Sequence, residues 1–325
     1  MKLFLLPVLS FTLCFFLLRW LLHGRLAQAM LDQPNHRSLH TTPTPRIGGL
    51  GVLAGVLGGG VLVGGIPPLL FVLLALLGGF CFIDDRRGLP TALRLAVHLF
   101  AAAVWVVSLG KVGGGDTAHW LIVIGLTLAL GWMMNLYNFM DGANGLAGGM
   151  ALFGFSAYGA AAALAGQPEL ATLDFVIAAA ALAFLLFNFD PARVFLGDVG
   201  SIPLGFLAGA LGLWGWRTNA WPLWFPLLAF SPFIVDATYT LLRRLLRGEK
   251  VWQAHHEHAY QRLVRSGWSH RRLALAAYGL MASCAVSALV LRSMDITMVA
   301  ASLPLWAAIY AALLLAVAHR WRQEK

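Results

Sequence analysis

The stretch Asn135–Gly149, NLYNFMDGANGLAGG, decides the fold because it interrupts a long apolar sequence with asparagines, an aspartate and glycines. Unpaired polar groups are costly in hydrocarbon, so in a membrane protein such a run belongs at a membrane edge or around a site. Asp141 within it is therefore either a solvated residue or part of a reaction centre.

The composition around this stretch is that of a membrane protein. Of 325 residues, 59% are hydrophobic and only 11% are charged, whereas a soluble protein carries about 25% charged residues. The apolar runs are too long and too continuous for barrel strands, which alternate in polarity. We therefore predict an all-α polytopic membrane protein that forms a single integral-membrane domain over residues 1–325.

The basic residues and the cysteines exclude other classes. The formal net charge is +9, but the basic residues flank hydrophobic runs. This pattern is typical of topology signals and contacts with anionic headgroups, so we expect no nucleic-acid partner. The three cysteines are scattered along apolar segments and are interpreted as small core residues.

About 20 apolar residues span a bilayer, and by this measure the chain has about eleven transmembrane helices. The predicted spans cover 2–22, 47–65, 66–83, 92–110, 119–137, 145–165, 172–188, 201–216, 221–242, 273–291 and 297–318. An odd number places the two termini on opposite sides. With these spans, eighteen of the 23 Lys and Arg residues fall on one side and four on the other. The positive-inside rule makes the first side cytoplasmic, the N-terminus periplasmic and the C-terminus cytoplasmic.

Five polar segments fall on the predicted cytoplasmic face, although they played no part in setting the topology. They cover residues 36–49, 84–91, 138–145, 188–201 and 247–272. The loops on the other face are short and chemically plain. We interpret the five segments as one composite catalytic site, where a soluble substrate meets a membrane-bound one.

Two of these segments carry acids at helix ends. Asp84 and Asp85 are adjacent and cannot share one helical face, so they could serve different partners, one of them as a base or a cation ligand. The alternative is a salt-bridged helix end beside Arg86 and Arg87. In FLGDVGS, Asp198 precedes a helix for which Ser201 is a candidate N-cap. The N-terminus of that helix could bind a phosphate, and Asp198 could hold Mg²⁺ beside it. The alternative is that this segment is an ordinary glycine-rich connection.

The histidines His255, His256 and His258 lie in the longest cytoplasmic loop. Their spacing gives no i, i+4 pair, and no cysteine is near, so binding of a diphosphate or nucleotide is favoured over zinc; a solvated loop is the alternative. Asp236 lies within the ninth predicted span, where an acid would face the site or pair with Arg243 or Arg244.

These motifs resemble those of the polyprenyl-phosphate N-acetylhexosamine-1-phosphate transferases. The resemblance runs over residues 36–263 and includes PTPRIGG, the acid pair, NxxNxxDGxxGLAGG, FLGDVGS and the histidine loop. It implies that a polyprenyl phosphate attacks a UDP-N-acetylhexosamine, with release of UMP, at the bacterial inner membrane. It also implies a need for Mg²⁺, for which Mn²⁺ could substitute. Whether the protein acts as a monomer or a homodimer is left open.

The resemblance assigns a role to each motif. It makes Asp198 the magnesium ligand, places Asp84 and Asp85 at the lipid-phosphate and diphosphate site, and favours Asp84 as the residue that orients or deprotonates the acceptor. A two-step route through an aspartyl intermediate is the alternative. The remaining positions implied are substrate-binding: Arg46 and the histidines His255, His256 and His258 for the diphosphate, Asn138 and Asp141 for the nucleotide sugar, and Asn188 and Phe195 for the uridine.

Two departures from the family pattern refine this hypothesis. Asn144 replaces an acid in DGANG, so it falls outside the catalytic list, and we expect Asn144→Asp to be tolerated better than Asp141→Asn. The sequence HHEHAYQRL is closer to the O-antigen-initiating branch than to the phospho-MurNAc-pentapeptide translocase, which has three consecutive histidines. The translocase is the alternative within the family. A secondary transporter is the alternative from another class, but no internal repeat is visible.

Overall fold

A computed structural model describes residues 1–34, 39–111, 116–250 and 255–323. In these ranges the chain forms fourteen α-helices and one short antiparallel ladder, in which Leu31 pairs with Pro45. In chain order the elements are α1 Lys2–Leu22, α2 Arg25–Ala29, β1 Leu31–Asp32, β2 Thr44–Pro45, α3 Gly48–Gly60, α4 Pro68–Arg87, α5 Thr91–Ser108, α6 Asp116–Phe139, α7 Leu146–Leu164, α8 Pro168–Asn188, α9 Asp198–Arg217, α10 Trp224–Ala229, α11 Ser231–Leu246, α12 Ala259–Arg265, α13 His270–Leu291 and α14 Ile296–Gln323.

The fold is the predicted all-α polytopic membrane protein. Within the described ranges, nine helices are long and apolar enough to cross a membrane, and they correspond to nine of the eleven predicted spans. The span predicted at 47–65 contains α3, which has 13 residues and at 1.5 Å per residue covers only about 20 Å. The span predicted at 221–242 is broken at Phe230 into α10 and α11, because Pro232 in the first turn of α11 lacks an N–H and starts a new helix there.

The centre of the bundle is formed by α7, α8 and α9. Their apolar windows are 72%, 78% and 83% buried, whereas that of α14 is 6% buried. Alanine and glycine dominate α7, and α8 carries a run of four alanines; such small side chains allow helices to approach closely. The side chain of Ser10 on α1 donates to the carbonyl of Val176 on α8 at 2.9 Å. As predicted, the three cysteines are buried in the core.

The two ends of the bundle differ chemically. Three of the four basic residues expected outside donate to main-chain carbonyls at one end: Lys2 to Val63 at 3.0 Å, Arg217 to Leu109 at 3.3 Å and Arg292 to Ala220 at 3.0 Å. The polar segments that carry the candidate site lie at the other end. The polar segments and these three basic residues thus lie at opposite ends of the bundle, as the sequence predicts. The orientation of the termini across the membrane stays a prediction.

The start of α9 differs from the prediction. Ser201 is not the N-cap; α9 begins at Asp198, and the hydroxyl of Ser201 donates to the carbonyl of Gly197 at 3.1 Å. Gly197 has φ +70°, a conformation that glycine adopts without strain, and this allows the helix to start three residues earlier. Asp198 therefore occupies the first turn of the helix.

Candidate active site

A polar cavity of about 200 Å³ opens at one end of the bundle. It lies between the α6–α7 connection, the α8–α9 connection, the segment that precedes α3 and the start of α13. Six of the predicted substrate-binding or catalytic residues line it, and the complete lining is Asp32, His40, Arg46, Asn138, Asp141, Gly142, Ala143, Asn144, Asn188, Phe195, Gly197, Asp198 and His270. Four of the five predicted polar segments thus contribute to the lining, and segment 84–91 does not.

Main-chain hydrogen bonds join the PTPRIGG and FLGDVGS motifs. The N–H of Phe195 donates to the carbonyl of Pro45 at 2.9 Å, and the N–H of Gly48 donates to the carbonyl of Phe195 at 2.8 Å. A side chain on Gly49 would overlap the main chain of Gly200, so this approach requires glycine. The contact places Arg46 and Asp198 on the same wall of the cavity.

Asp198 is held from two sides at the N-terminus of α9. Nδ2 of Asn138 donates to its Oδ1 at 2.7 Å and to the hydroxyl of Ser201 at 3.0 Å. Nη1 of Arg94 lies 3.7 Å from its Oδ2. Its position in the first turn places the carboxylate at the positive end of the helix dipole, where the charge of a phosphate would also be stabilised.

The acid pair divides between two partners, as its helical spacing suggests. Oδ1 of Asp84 accepts from the N–H of Leu89 at 2.7 Å, and its Oδ2 lies 3.4 Å from Nη1 of Arg94. Oδ2 of Asp85 accepts from the N–H of Val199 at 3.2 Å. Neither acid lines the cavity. Asp84 is connected to Asp198 through Arg94, and Asp85 is connected to it through the first turn of α9. The ion pair of Asp84 is therefore with α5 and not with the adjacent Arg86 or Arg87.

The DGANG loop is fixed by the α8–α9 connection. Nδ2 of Asn144 donates to Oδ1 of Asp190 at 2.8 Å, and the N–H of Gly145 donates to Oδ1 of Asn188 at 2.8 Å. Nδ2 of Asn188 donates in turn to the carbonyl of Val194 at 2.9 Å, and the residue is 3% exposed. Both ends of the Asn188 amide thus hold the main chain of the cavity wall, which is a role that the sequence did not indicate.

The cavity concentrates negative charge. Loss of hydration, followed by the charge of Asp198, raises the pKa of Asp141 well above its usual range. Arg46 is the nearby cation, and its Nη2 donates to Oδ1 of Asp32 at 2.6 Å. Burial alone would lower the pKa of Arg46, but this bond and the charges of Asp32, Asp85 and Asp198 raise it above its ordinary value.

The three histidines do not line the cavity. His258 is buried, and its ring stacks on Phe139 with centroids 6.2 Å apart, while the ring of His255 lies 4.8 Å from that of His258. Burial and the charges of His258 and Arg244 lower the pKa of His255 to about 4. Residues 251–254 of this loop lie outside the described part of the chain, as do residues 36–38 of the first polar segment.

Asp236 explains how the histidine loop is anchored. Its Oδ1 accepts from the N–H of Ala259 at 2.8 Å and its Oδ2 from the N–H of Tyr260 at 3.1 Å, so it caps α12. The expected pairing with Arg243 or Arg244 is not formed, because these residues pair with Glu257 at 2.7 Å and Glu249 at 2.8 Å. The hydroxyl of Tyr260 donates to the carbonyl of Phe139 at 3.0 Å, which attaches the loop beside the DGANG segment.

Four residues of the site carried no recognised sequence signal: Asp32, His40, Arg94 and His270. Asp32 and His40 lie on the segment before α3, where His40 packs edge-on against Phe195 with centroids 4.8 Å apart. Arg94 bridges Asp84 and Asp198. A basic residue one helix beyond an acid pair is the only local hint that could have identified Arg94.

Comparisons with known proteins identify the family of the chain. The model of glycosyl transferase family 4 matches residues 67–215. A probable undecaprenyl-phosphate N-acetylglucosaminyl 1-phosphate transferase of Bacillus subtilis (strain 168) is 30% identical over 285 residues, which cover 82% of this chain and 78% of that protein.

Relatives from two other bacteria match over a similar length. A decaprenyl-phosphate N-acetylglucosaminephosphotransferase of Mycobacterium tuberculosis (strain ATCC 25618 / H37Rv) is 30% identical, with 81% of this chain and 76% of that protein covered. An undecaprenyl-phosphate alpha-N-acetylglucosaminyl 1-phosphate transferase of Escherichia coli (strain K12) is 29% identical, with 80% and 76% covered. The chain therefore belongs to glycosyl transferase family 4, within the polyprenyl-phosphate N-acetylhexosamine-1-phosphate transferase superfamily.

Proposed function

We propose that the protein transfers N-acetylglucosamine 1-phosphate from UDP-N-acetylglucosamine to a polyprenyl phosphate, for which undecaprenyl phosphate is the first candidate. An oxygen of the lipid phosphate forms a bond to the β-phosphorus of the donor. The bond from that phosphorus to the bridging oxygen breaks, and UMP leaves with the electron pair. The observation that carries the proposal is the convergence of Arg46, Asn138 and Asp198 on one cavity at the N-terminus of α9.

The choice of donor sugar rests on the relatives. The three relatives named above act, by their names, on N-acetylglucosamine 1-phosphate. The product would begin an O-antigen or a related surface glycan at the inner membrane, with the cavity on the cytoplasmic face, where the predicted topology places the basic loops. The proposal keeps the two alternatives, the phospho-MurNAc-pentapeptide transferase and the secondary transporter, as outcomes of the test.

The donor set of the cavity fits Mg²⁺. In the described part of the chain no three His, Cys, Asp or Glu residues are grouped as a complete protein-made metal site. Magnesium does not need one, since it is usually bound by one or two carboxylates together with substrate phosphates. Asp198 would hold the ion, and a cation there would balance the charge of Asp198, which after burial is the second cause of the raised pKa of Asp141. The bound ion would supply charge neutralisation at the diphosphate.

The protein's own groups would then position the two substrates. Arg46 presents a fixed positive charge to the cavity, and α9 directs the positive end of its dipole toward it, so both would stabilise charge on the transferred phosphate. Asp84 would orient or deprotonate the acceptor phosphate, with Asp85 fixed beside it on Val199. His258 stacks on Phe139, so the histidine loop would lie beside the end of α6 that leads into the DGANG loop.

A donor panel tests the proposal. Full-length protein in detergent is incubated with undecaprenyl phosphate, Mg²⁺ and one UDP-sugar at a time, and UMP release is measured. We expect turnover with UDP-N-acetylglucosamine. Turnover with UDP-MurNAc-pentapeptide alone would favour the translocase, and absence of UMP release from every donor would refute an enzymatic role. Retained activity when Mn²⁺ replaces Mg²⁺ would fit the proposed oxygen-ligand site.

A further inference from the structure

His270 joins two walls of the cavity that are distant in the sequence. It is the first residue of α13, and its ring lies between the DGANG loop and the segment that precedes α3. The N–H of Asn144 donates to Nδ1 of His270 at 3.1 Å, and Nε2 of His270 lies 3.1 Å from the carbonyl oxygen of Leu39. One imidazole therefore contacts main-chain groups of both segments.

The two partners determine the state of the ring. A main-chain N–H can only donate and a carbonyl can only accept, so Nδ1 must carry a lone pair and Nε2 must carry the proton. His270 is thus held as the neutral Nε2–H tautomer. A protonated ring would present N–H to both partners and would lose the bond from Asn144.

Each wall that His270 holds carries polar groups of the cavity. Next to Leu39, His40 packs on Phe195 and lies 3.8 Å from Asp32, which in turn binds Arg46. On the other side, Asn144 reaches Asp190 with its side chain. Displacement of His270 would therefore release the groups that surround the predicted position of the donor.

We propose that His270 is a positioning residue for the nucleotide-sugar donor, which acts by fixing these two walls in one geometry. The inference rests on the proposed transferase function. His270 lines the cavity, but its ring nitrogens are both occupied by protein main chain, so it would act through the walls and not on the reacting phosphate.

Three substitutions separate the two hydrogen bonds. Asn at position 270 can keep an acceptor near Nδ1 for Asn144, Gln can keep a donor near Nε2 for Leu39, and Ala keeps neither. His319→Ala is the matched control, since His319 is exposed on α14 and bonds only locally, to Gln323 at 2.9 Å. Amide hydrogen exchange of residues 39–46 and 140–146 reports on each wall without any turnover.

The expected pattern is reciprocal. Exchange of residues 140–146 should accelerate in His270→Gln and His270→Ala, and exchange of residues 39–46 should accelerate in His270→Asn and His270→Ala. For His270→Ala we expect KM for UDP-N-acetylglucosamine to rise about 10-fold, as loss of one or two hydrogen bonds would give, with KM for undecaprenyl phosphate within about twofold of wild type.

Two results would overturn the inference, and neither resembles failure of the proposed function. An active wild-type protein whose donor KM is unchanged in His270→Ala would refute the positioning role. A general loss, in which both KM values and the melting temperature change together and the exchange pattern is not reciprocal, would make His270 an ordinary structural residue. Failure of the proposed function would instead appear as absence of UMP release from the wild-type protein.

Discussion

The side-chain amide of Asn138 donates to Oδ1 of Asp198 at 2.7 Å and so ties the end of α6 to the first turn of α9. The same nitrogen also donates to the hydroxyl of Ser201. Since Nη1 of Arg94 lies near the other carboxylate oxygen of Asp198, this carboxylate is oriented before any substrate binds. Such preorganisation is the main means by which phosphoryl transfer is accelerated.

Asp198→Asn should lower turnover by about 100-fold or more, the effect typical of losing one preorganised electrostatic contact. The amide cannot supply the negative charge that Mg²⁺ requires, so added magnesium should not restore the rate. UMP release across a magnesium titration measures this. Asp116→Asn is the control, because Asp116 is exposed at the opposite end of the bundle. Near-normal turnover of Asp198→Asn at any magnesium concentration would exclude its metal role.

The contact between Asn144 and Asp190 predicts that an acid at position 144 has a cost. Its Nδ2 donates to Oδ1 of Asp190, so Asn144→Asp would bring two carboxylates together and lose the bond. We expect a lower melting temperature and lower turnover in Asn144→Asp, and recovery of both in the double variant Asn144→Asp/Asp190→Asn, which restores an amide–carboxylate pair. Thermal melts and UMP release of the wild type, the single variant and the double variant test this. If the double variant is no better than the single one, the pair does not couple.

Asp141→Asn should separate stability from activity. The folded state raises the pKa of Asp141, so it favours the protonated form, and the resulting stability declines as pH rises above the ordinary aspartate pKa of about 4. A neutral amide avoids this decline. In magnesium-free buffer, we therefore expect Asp141→Asn to melt above the wild type at pH 8, with a smaller difference at pH 5, and to be nearly inactive. A difference that shrinks between pH 5 and pH 8 would contradict the argument.

Asp236→Ala should affect activity from outside the cavity. Both of its oxygens accept from the N-terminus of α12, and loss of such a cap costs about 0.5–2 kcal/mol. We expect faster amide exchange at residues 258–261 and lower turnover. Asp295→Ala is a matched control, because Asp295 accepts from Thr297 and Met298 in the exposed first turn of α14. Equal activity in both variants would show that the anchoring of α12 is irrelevant to turnover.

Gly49→Ala should strongly destabilise the protein, because the added methyl group would meet the main chain of Gly200, which cannot move aside. Gly79→Ala is the control, since a methyl group there meets nothing within 4 Å. We expect a clear loss of melting temperature and of folded yield for Gly49→Ala and little change for Gly79→Ala. Similar melting temperatures for both variants would contradict the close approach of α3 and α9.

The helices could be predicted from the sequence because each is a continuous apolar run. The predicted positions of the helix ends were less accurate. The span predicted to start at 172 begins at Pro168 as α8, because a proline in the first turn and Glu169 near the helix N-terminus both stabilise a helix start. The broken span at Phe230 was missed because hydropathy does not distinguish one long helix from two that meet at a proline.

The candidate site was predictable where residues form local motifs and not where they act across the chain. Asn138, Asp141 and Asp198 lie in dense polar segments and were predicted together. His270 bonds to Asn144, which lies 126 residues earlier, and Arg94 meets Asp84 across a helix boundary. Such pairings depend on how the helices pack, so no local pattern in the sequence identifies them.

The main-chain contact between Gly49 and Gly200 has a consequence for the route of the acceptor. Helices that touch through their backbones leave no gap for an isoprenoid chain, and α3 also packs against α1 and α8. A membrane-embedded acceptor could therefore not pass between α3 and α9 at the level of these two glycines, and its chain would have to reach the cavity between other helices.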